Sequence, residues 1–290
     1  MRHISAARNL TFALSLALAL PAAAQQFTPP RPSPNAKVTQ TIGLTEVSVT
    51  YSRPGVKGRA IWGALVPYGQ PWRTGANEAT QFTTSDDIMV EGQKVPAGTY
   101  AVVTIPTADR WTFALSSQKE MWGSNGYDAK NDVVRVTVKP VAAEMVERLE
   151  FTFDDPATES ATLNLRWEKL SVPVKLTVDT PAKALASARA AVAAAKPDDW
   201  RTPFRAASWG FDAGVAQEDV AMWAKTAART KDNFQTAGLL ARMAAKQGDT
   251  KNAVVLMKKS IAFGKADTLV AKEQIENNEK LLTEWTASKK

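Results

Sequence analysis

The apolar residues of this chain follow two different periods, and the change between them near residue 179 constrains the fold more than any other feature. Between residues 37 and 178 apolar side chains recur at every second position, as in Val47, Val49 and Tyr51. From residue 179 they recur at helical spacing. A period of two indicates half-buried strands, and a period of 3.6 indicates amphipathic helices. We therefore predict a β domain at 37–178, followed by a helical region at 179–290.

The strand-like segments are short, and turn residues rather than helices separate them. Pro96-Ala97-Gly98 and Asn125-Gly126 are typical of such turns. Parallel strands would need long crossover connections between them, and the segment has none. The sequence therefore predicts an antiparallel sandwich or jelly roll. Besides the strand around Val49, its strands are expected at 81–84, 88–90, 100–105, 111–116, 133–138, 149–153, 163–167 and 172–178.

The helical region opens with a capping signal, Asp179 or Thr180 followed by Pro181. Helices are expected at 182–195, 217–229, 233–247, 250–263 and 267–288. A weak repeat pairs Gly214 with Gly248 and Trp223 with Met257, and residues 233–266 resemble a tetratricopeptide-type helical pair. A generic helical hairpin remains the alternative. Either arrangement would offer a face to a protein partner.

The N-terminus has the composition of an export signal. Basic residues precede the apolar run 10–20, and Ala22-Ala23-Ala24 forms a cleavage motif. The run is shorter than the ~20 residues needed to span a bilayer. We expect a signal peptide at 1–24 with cleavage after Ala24, a proline-rich leader at 25–36, and a periplasmic or secreted protein without a membrane span.

The absence of two residue types excludes much chemistry. The sole histidine is His3, inside the predicted signal peptide, and the chain has no cysteine. Triads based on histidine, thiolate catalysis and ordinary zinc sites are therefore excluded from the exported protein. The chain also lacks the glycine-rich phosphate and dinucleotide motifs. We expect no cofactor and no metal, and we favour a protein that is not an enzyme.

The charge distribution argues against nucleic-acid binding. Residues 25–178 carry 16 basic and 16 acidic side chains, whereas residues 179–290 carry 18 and 13. The basic side chains of the second segment are scattered along helices and form no continuous run. No nucleic-acid partner is expected.

Four blocks of the sequence resemble one known family. They are YSRPGVKGR at 51–59, LVPYGQPWRTGANEAT at 65–80, GQKVPAGTYAVVTIP at 92–106 and WGSNGYDAKNDVVRV at 122–136. In this order they are similar to the bacterial domain-of-unknown-function family 2911, over about residues 33–154. The resemblance implies an export signal and often a helical tail. It implies no activity.

Cations, aromatic rings and polar side chains concentrate between residues 51 and 78. Arginine binds carboxylate or phosphate in a bidentate manner, and flat aromatic rings stack on sugars. The hypothesis is a patch for an anionic or carbohydrate-like ligand; the alternative is a structural brace in which Arg73 pairs with Glu78. The candidate ligand-binding residues are Tyr51, Arg53, Lys57, Arg59, Trp72, Arg73, Asn77 and Glu78.

Two other functions remain open. Glycan hydrolysis needs only two carboxylates, for which Glu78 and Asp128 are the candidates. The protein would otherwise be a purely structural component of the cell envelope. The segment with Trp122, Tyr127 and Asp132 lacks the ligand spacing of a calcium loop, so we expect no metal there.

Overall fold

The structure is a computed structural model that describes residues 29–287 of the chain. The predicted signal peptide at 1–24 and residues 25–28 of the predicted leader lie outside the described residues. Within the described part, no helix combines the length and apolar character that crossing a membrane requires.

The described residues form ten β-strands. They are β1 (Asn35–Ile42), β2 (Thr45–Ser52), β3 (Gln81–Thr84), β4 (Ile88–Val90), β5 (Gln93–Val95), β6 (Gly98–Pro106), β7 (Trp111–Ser116), β8 (Asp132–Val138), β9 (Val141–Asp154) and β10 (Ser160–Thr177). One sheet has the order β1-β2-β3-β6-β7-β8, and the other has the order β5-β4-β10-β9. Every pairing between these strands is antiparallel, which confirms the predicted class of β domain.

The strands differ from the sequence prediction in several places. β1 begins at Asn35, inside the segment predicted as a leader. β5 has no counterpart among the predicted strands, and β9 begins at Val141 rather than at residue 149. The predicted strands 163–167 and 172–178 are one strand, β10. Between them Glu168 adopts a left-handed φ of 55°, and the pairing with β9 shifts around it. This irregularity interrupts the alternation without ending the strand.

The two sheets share one hydrophobic core. Val49, Phe82 and Leu115 enter it from the first sheet, and Leu149 and Leu163 enter it from the second. Four tryptophans, Trp62, Trp72, Trp111 and Trp167, pack together in this core at centroid distances of 4.9–6.4 Å. The core therefore holds the sheets face to face and anchors the loop that carries Trp72.

Six α-helices follow within the described residues. They are α1 (Thr180–Ala193), α2 (Arg201–Ala213), α3 (Gln217–Thr230), α4 (Phe234–Lys246), α5 (Thr250–Ala266) and α6 (Lys272–Ala287). The predicted helical region is thus confirmed, although the prediction missed α2. Its start was obscured by Pro203 in the first turn. Asp199, which precedes the N-cap residue Trp200, accepts hydrogen bonds from the Arg201 and Thr202 amides through its carboxylate. Proline is tolerated there because the first amides of a helix have no intrahelical acceptor.

Candidate functional site

The first block of the candidate site crosses from one sheet to the other. After β2, the chain leaves the first sheet and runs along the edge of β9. The Leu149 amide donates to the Pro54 carbonyl at 3.0 Å, and the Val56 amide donates to the Glu147 carbonyl at 2.8 Å. These bonds cover part of an edge strand that would otherwise expose unpaired backbone groups.

The two arginines of this block form hydrogen bonds to β9 and to the backbone of the crossing segment. Arg53 donates from Nε to the Leu149 carbonyl at 2.9 Å and pairs through Nη2 with Glu150 at 3.2 Å. Arg59 donates to the carbonyls of Val56 at 3.0 Å and Gly55 at 2.6 Å. The Lys57 amide donates to Glu147, and the Lys57 side chain is exposed. The guanidinium groups of Arg53 and Arg59 are therefore engaged within the fold.

Two aromatic candidates lie in the core. The Tyr51 hydroxyl accepts a hydrogen bond from the Phe151 amide at 3.1 Å, and the Tyr51 ring meets the Phe151 ring edge-on. Trp72 is buried among the core tryptophans, and its indole N–H donates to the Gly75 carbonyl at 3.2 Å. Both rings are buried.

The loop at residues 73–79 forms the second part of the candidate site. Trp72 pairs with Thr104 of β6, and Thr80 accepts from the Val102 amide, so the loop bulges out between two contacts with the same strand. Thr74 is buried inside the bulge and bonds to Thr104 through its hydroxyl. The side-chain Nδ2 of Asn77 donates to the Ser52 hydroxyl at 3.2 Å. These bonds hold the loop in one conformation.

Arg73 differs from the other cations of the cluster. It follows Trp72 and so lies next to Val103, and the alternation along an extended segment directs it away from the core. Its Nε is buried and has no acceptor, and its side chain forms no ion pair within residues 29–287. Burial accordingly lowers the pKa of Arg73 below its ordinary value.

The fourth sequence block packs against this loop. Glu78 forms a β-bridge with Trp122, and the Ala79 amide donates to the Met121 carbonyl at 3.1 Å. Beneath these bonds lies a small apolar group on the face of the first sheet opposite the core. We call it the outer-face cluster; its members are Ala79, Ala101, Val103, Met121 and Tyr127. Two blocks more than 40 residues apart in the sequence therefore meet on one surface.

A hollow of about 210 Å³ adjoins the loop on the same side of β2 and β3. We call it the polar hollow; it is lined by Asn35, Thr50, Tyr51, Ser52, Glu78, Ala79 and Gln81. Amide, hydroxyl and carboxylate groups are present in this lining, and each can donate to or accept from a ligand hydroxyl. Of the eight predicted residues, Tyr51 and Glu78 line the hollow.

The fourth block supplies groups that the sequence analysis did not assign to ligand binding. Trp122 is 71% exposed, although backbone bonds fix its position. Tyr127 donates to Asp132 at 2.6 Å, and Arg135 donates to the same carboxylate oxygen at 2.9 Å. Burial, followed by the bond to Asp132, raises the pKa of Tyr127 to about 12. Their signal in the sequence was the fourth block itself, in which only Asp128 was a functional candidate.

Asp128, the second carboxylate of the hydrolase hypothesis, lies on the same block. Its side chain accepts from the Lys130 amide at 3.0 Å and caps the 3₁₀ turn Ala129–Asn131. Within residues 29–287, no group of three or more His, Cys, Asp or Glu side chains is placed to hold a metal ion.

The candidate residues thus separate into two groups. Arg53, Lys57 and Arg59 lie at the crossing to β9, and Arg73 and Glu78 lie on the loop that meets Trp122. The buried Arg73 Nε that lacks an acceptor and the exposed Trp122 both belong to the second location, which is therefore the candidate site.

Comparison with known proteins identifies the β domain. Residues 33–176, about half of the chain, match the family model described as a protein of unknown function, DUF2911. No curated protein and no solved structure matches the chain significantly. The match contains all four sequence blocks and extends through β10, which confirms the family resemblance. Through its β domain, the chain belongs to the DUF2911 family.

Proposed function

We propose that this protein is a non-catalytic, exported binding protein, and that it holds an acidic carbohydrate on the outer face of the first sheet. The contacts would come from the loop at residues 73–79, the polar hollow and Trp122. This proposal keeps the ligand class expected from the sequence. It moves the site away from Arg53, Lys57 and Arg59.

The half-buried guanidinium of Arg73, whose Nε has no acceptor within residues 29–287, carries the proposal. A buried donor without an acceptor costs free energy, and the cost is larger for a charged group. A carboxylate or sulfate on the ligand would supply the missing acceptor, and it would favour the charged form that burial disfavours. Arg53 and Arg59 have no comparable need, because carbonyl and carboxylate groups of the protein already accept from them.

The surroundings of Arg73 favour a sugar over a simple anion. The same loop forms one wall of the polar hollow through Glu78 and Ala79. At about 210 Å³ the hollow is smaller than a pocket for a drug-sized ligand, typically at least ~300 Å³, and suits one small polar ring. Trp122, held by the bridge to Glu78, offers an exposed aromatic face on which a sugar ring can stack.

Calorimetric titration with acidic oligosaccharides tests the proposal. Oligogalacturonate should bind to the wild-type protein, and the neutral oligosaccharide of the same length should bind more weakly. Arg73→Gln should weaken binding of the acidic ligand at least tenfold, since a hydrogen bond to a charged group is worth ~1.5–3 kcal/mol. Added salt should reduce the affinity of the wild type more than that of the variant, because it screens the charge pair.

Arg110→Gln is the matched control, because Arg110 is exposed on the β6–β7 turn and pairs with its neighbour Asp109. This variant should bind like the wild type. Equal affinity of the wild type and Arg73→Gln would refute the assignment of the site. Absence of binding to acidic and neutral glycans alike would leave the purely structural envelope role as the better interpretation.

One observation favours a second function, hydrolysis of the same glycan. The bridge between Glu78 and Trp122 brings Glu78 to the block that also carries Asp128. Chromatography of the oligosaccharide after incubation separates the two functions. A binding protein returns it intact, whereas a hydrolase releases shorter products, and Glu78→Gln abolishes their release.

A further inference from the structure

Three polar side chains at the start of β8 share one carboxylate oxygen. Tyr127 donates to Oδ2 of Asp132 at 2.6 Å, and Arg135 donates to the same oxygen at 2.9 Å. Arg135 also donates to the Tyr127 hydroxyl at 2.9 Å. The position of the Asp132 carboxylate is thus determined through one of its two oxygens.

The other oxygen of Asp132 has no donor. The Asp132 side chain is only 4% exposed, and Oδ1 is buried without a hydrogen-bond partner within residues 29–287. An ionised carboxylate accepts up to four hydrogen bonds, and buried polar atoms in native proteins are nearly always paired. The geometry of the triad therefore leaves one acceptor site unused.

Asp132 and Arg73 border the same outer-face cluster from opposite sides. Asp132 pairs with Ser116 of β7, which in turn pairs with Ala101 of β6. Arg73 lies next to Val103, two residues further along β6. Tyr127 belongs to both the cluster and the triad. The orphan donor and the orphan acceptor are thus separated by three strand spacings and by two residues along the strand, or roughly 16 Å between Cα atoms.

From this juxtaposition we infer that Asp132 is a second ligand contact, which accepts a hydrogen bond from a hydroxyl group of the acidic glycan held by Arg73 once the side chains that cover Oδ1 are displaced. The inference rests on the proposed function. The charge of Asp132 is already balanced by Arg135, so a neutral hydroxyl suits Oδ1 better than an ammonium group. The span between Arg73 and Asp132 calls for a ligand of at least two sugar rings, with its acidic group at Arg73.

The test compares digalacturonate with the galacturonate monomer in calorimetric titrations. In the wild type the dimer should bind about tenfold more tightly, the ratio that one additional hydrogen bond of ~1.4 kcal/mol provides. Asp132→Asn should reduce the affinity for the dimer to that for the monomer and leave monomer binding unchanged. Asp109→Asn, the same chemical change at an exposed turn, should preserve the ratio.

If Asp132→Asn leaves the ratio of dimer affinity to monomer affinity unchanged, the inference is overturned and the proposed function stands. If neither ligand binds to the wild type, both the inference and the proposed function fail. If Asp132→Asn does not fold, carboxyl ¹³C spectra of the wild type decide. The Asp132 resonance should shift with the dimer but not with the monomer, and an equal response to both would overturn the inference.

Discussion

At the scale of single residues, two arginines from the same cluster have opposite environments. Arg53 follows β2 where the chain crosses to β9, so the carbonyl of Leu149 and the carboxylate of Glu150 accept from it. Arg73 follows Trp72, which the core holds in place, and its buried Nε has no acceptor within residues 29–287. The difference comes from the neighbouring strand and not from the residue type.

Removing the Arg53 side chain should cost stability and not binding. Arg53→Gln takes donors from the Leu149 carbonyl and the Glu150 carboxylate, and an unsatisfied carbonyl costs ~1–3 kcal/mol when fully buried. Because the Arg53 side chain is about one-third exposed, we expect the lower end, about 1 kcal/mol, in urea unfolding. If Arg53→Gln instead loses glycan binding under conditions where it is fully folded, Arg53 belongs to the ligand site.

At the scale of elements, the helices repeat a local pattern. Gly214 and Gly248 both end helices in left-handed conformations, with φ of 70° and 81°. Ala207 and Ala241 are both fully buried. The 34-residue spacing read from the sequence therefore corresponds to two helical hairpins, α2–α3 and α4–α5, that bury equivalent positions. The protein contact expected on this region stays a prediction.

The second hairpin depends on its first cap. Asn233 accepts from the Gln235 and Thr236 amides, and the Thr236 hydroxyl accepts from the Asn233 amide to complete a capping box. Asn233→Ala should lower the free energy of unfolding by about 1 kcal/mol, because these α4 amides lose their acceptor. Gln235→Ala, at an exposed position in the same turn, should change it by less than ~0.5 kcal/mol in the same denaturation assay. Equal losses of unfolding free energy in both variants would contradict the assignment of Asn233 as the cap of α4.

At the scale of the whole molecule, a short joint fixes α1 to the β domain. Lys183 donates to the carbonyl of Leu44 and to the carboxylate of Asp86, and Thr180 donates to the Thr158 carbonyl at 2.7 Å. Gly43 lies so close to Thr180 that a Cβ on it would clash, and its φ of 57° also favours glycine. The helices therefore begin from a defined position on the β domain.

This joint should make stability depend on pH through Asp86. Burial raises the pKa of Asp86, but hydrogen bonds from Lys183 and Ser85 outweigh it, so the pKa in the folded state is below its ordinary value. The stabilisation is then complete above the unfolded-state pKa of ~3.9 and disappears as the pH falls through the folded-state value. A double-mutant cycle of Asp86→Asn and Lys183→Met should show coupling at pH 7 and little near pH 2. Coupling of the same size at both pH values would rule out the charge pair.

Much of the fold could be predicted because its elements depend on local patterns. Alternation along Val47, Val49 and Tyr51 sets the strand period, and Asp179 with Pro181 marks the first helix. Errors arose where a tertiary contact overrides the local pattern. Glu168 interrupts the alternation of β10 with a left-handed residue, where the pairing with β9 shifts. The register of β10 against β9 cannot be read from a window of residues around Glu168.

The sequence by itself determined the order and type of most elements, the family, and the loop that carries Arg73 and Glu78, because side-chain period and residue identity are local properties. Only the tertiary structure decided which polar groups are satisfied. It joins Arg53 to β9, brings Glu78 to Trp122, and leaves Arg73 and Asp132 on one face. The physical reason is that hydrogen-bond partners across sheets are chosen by strand order and register, which depend on the packing of the whole core.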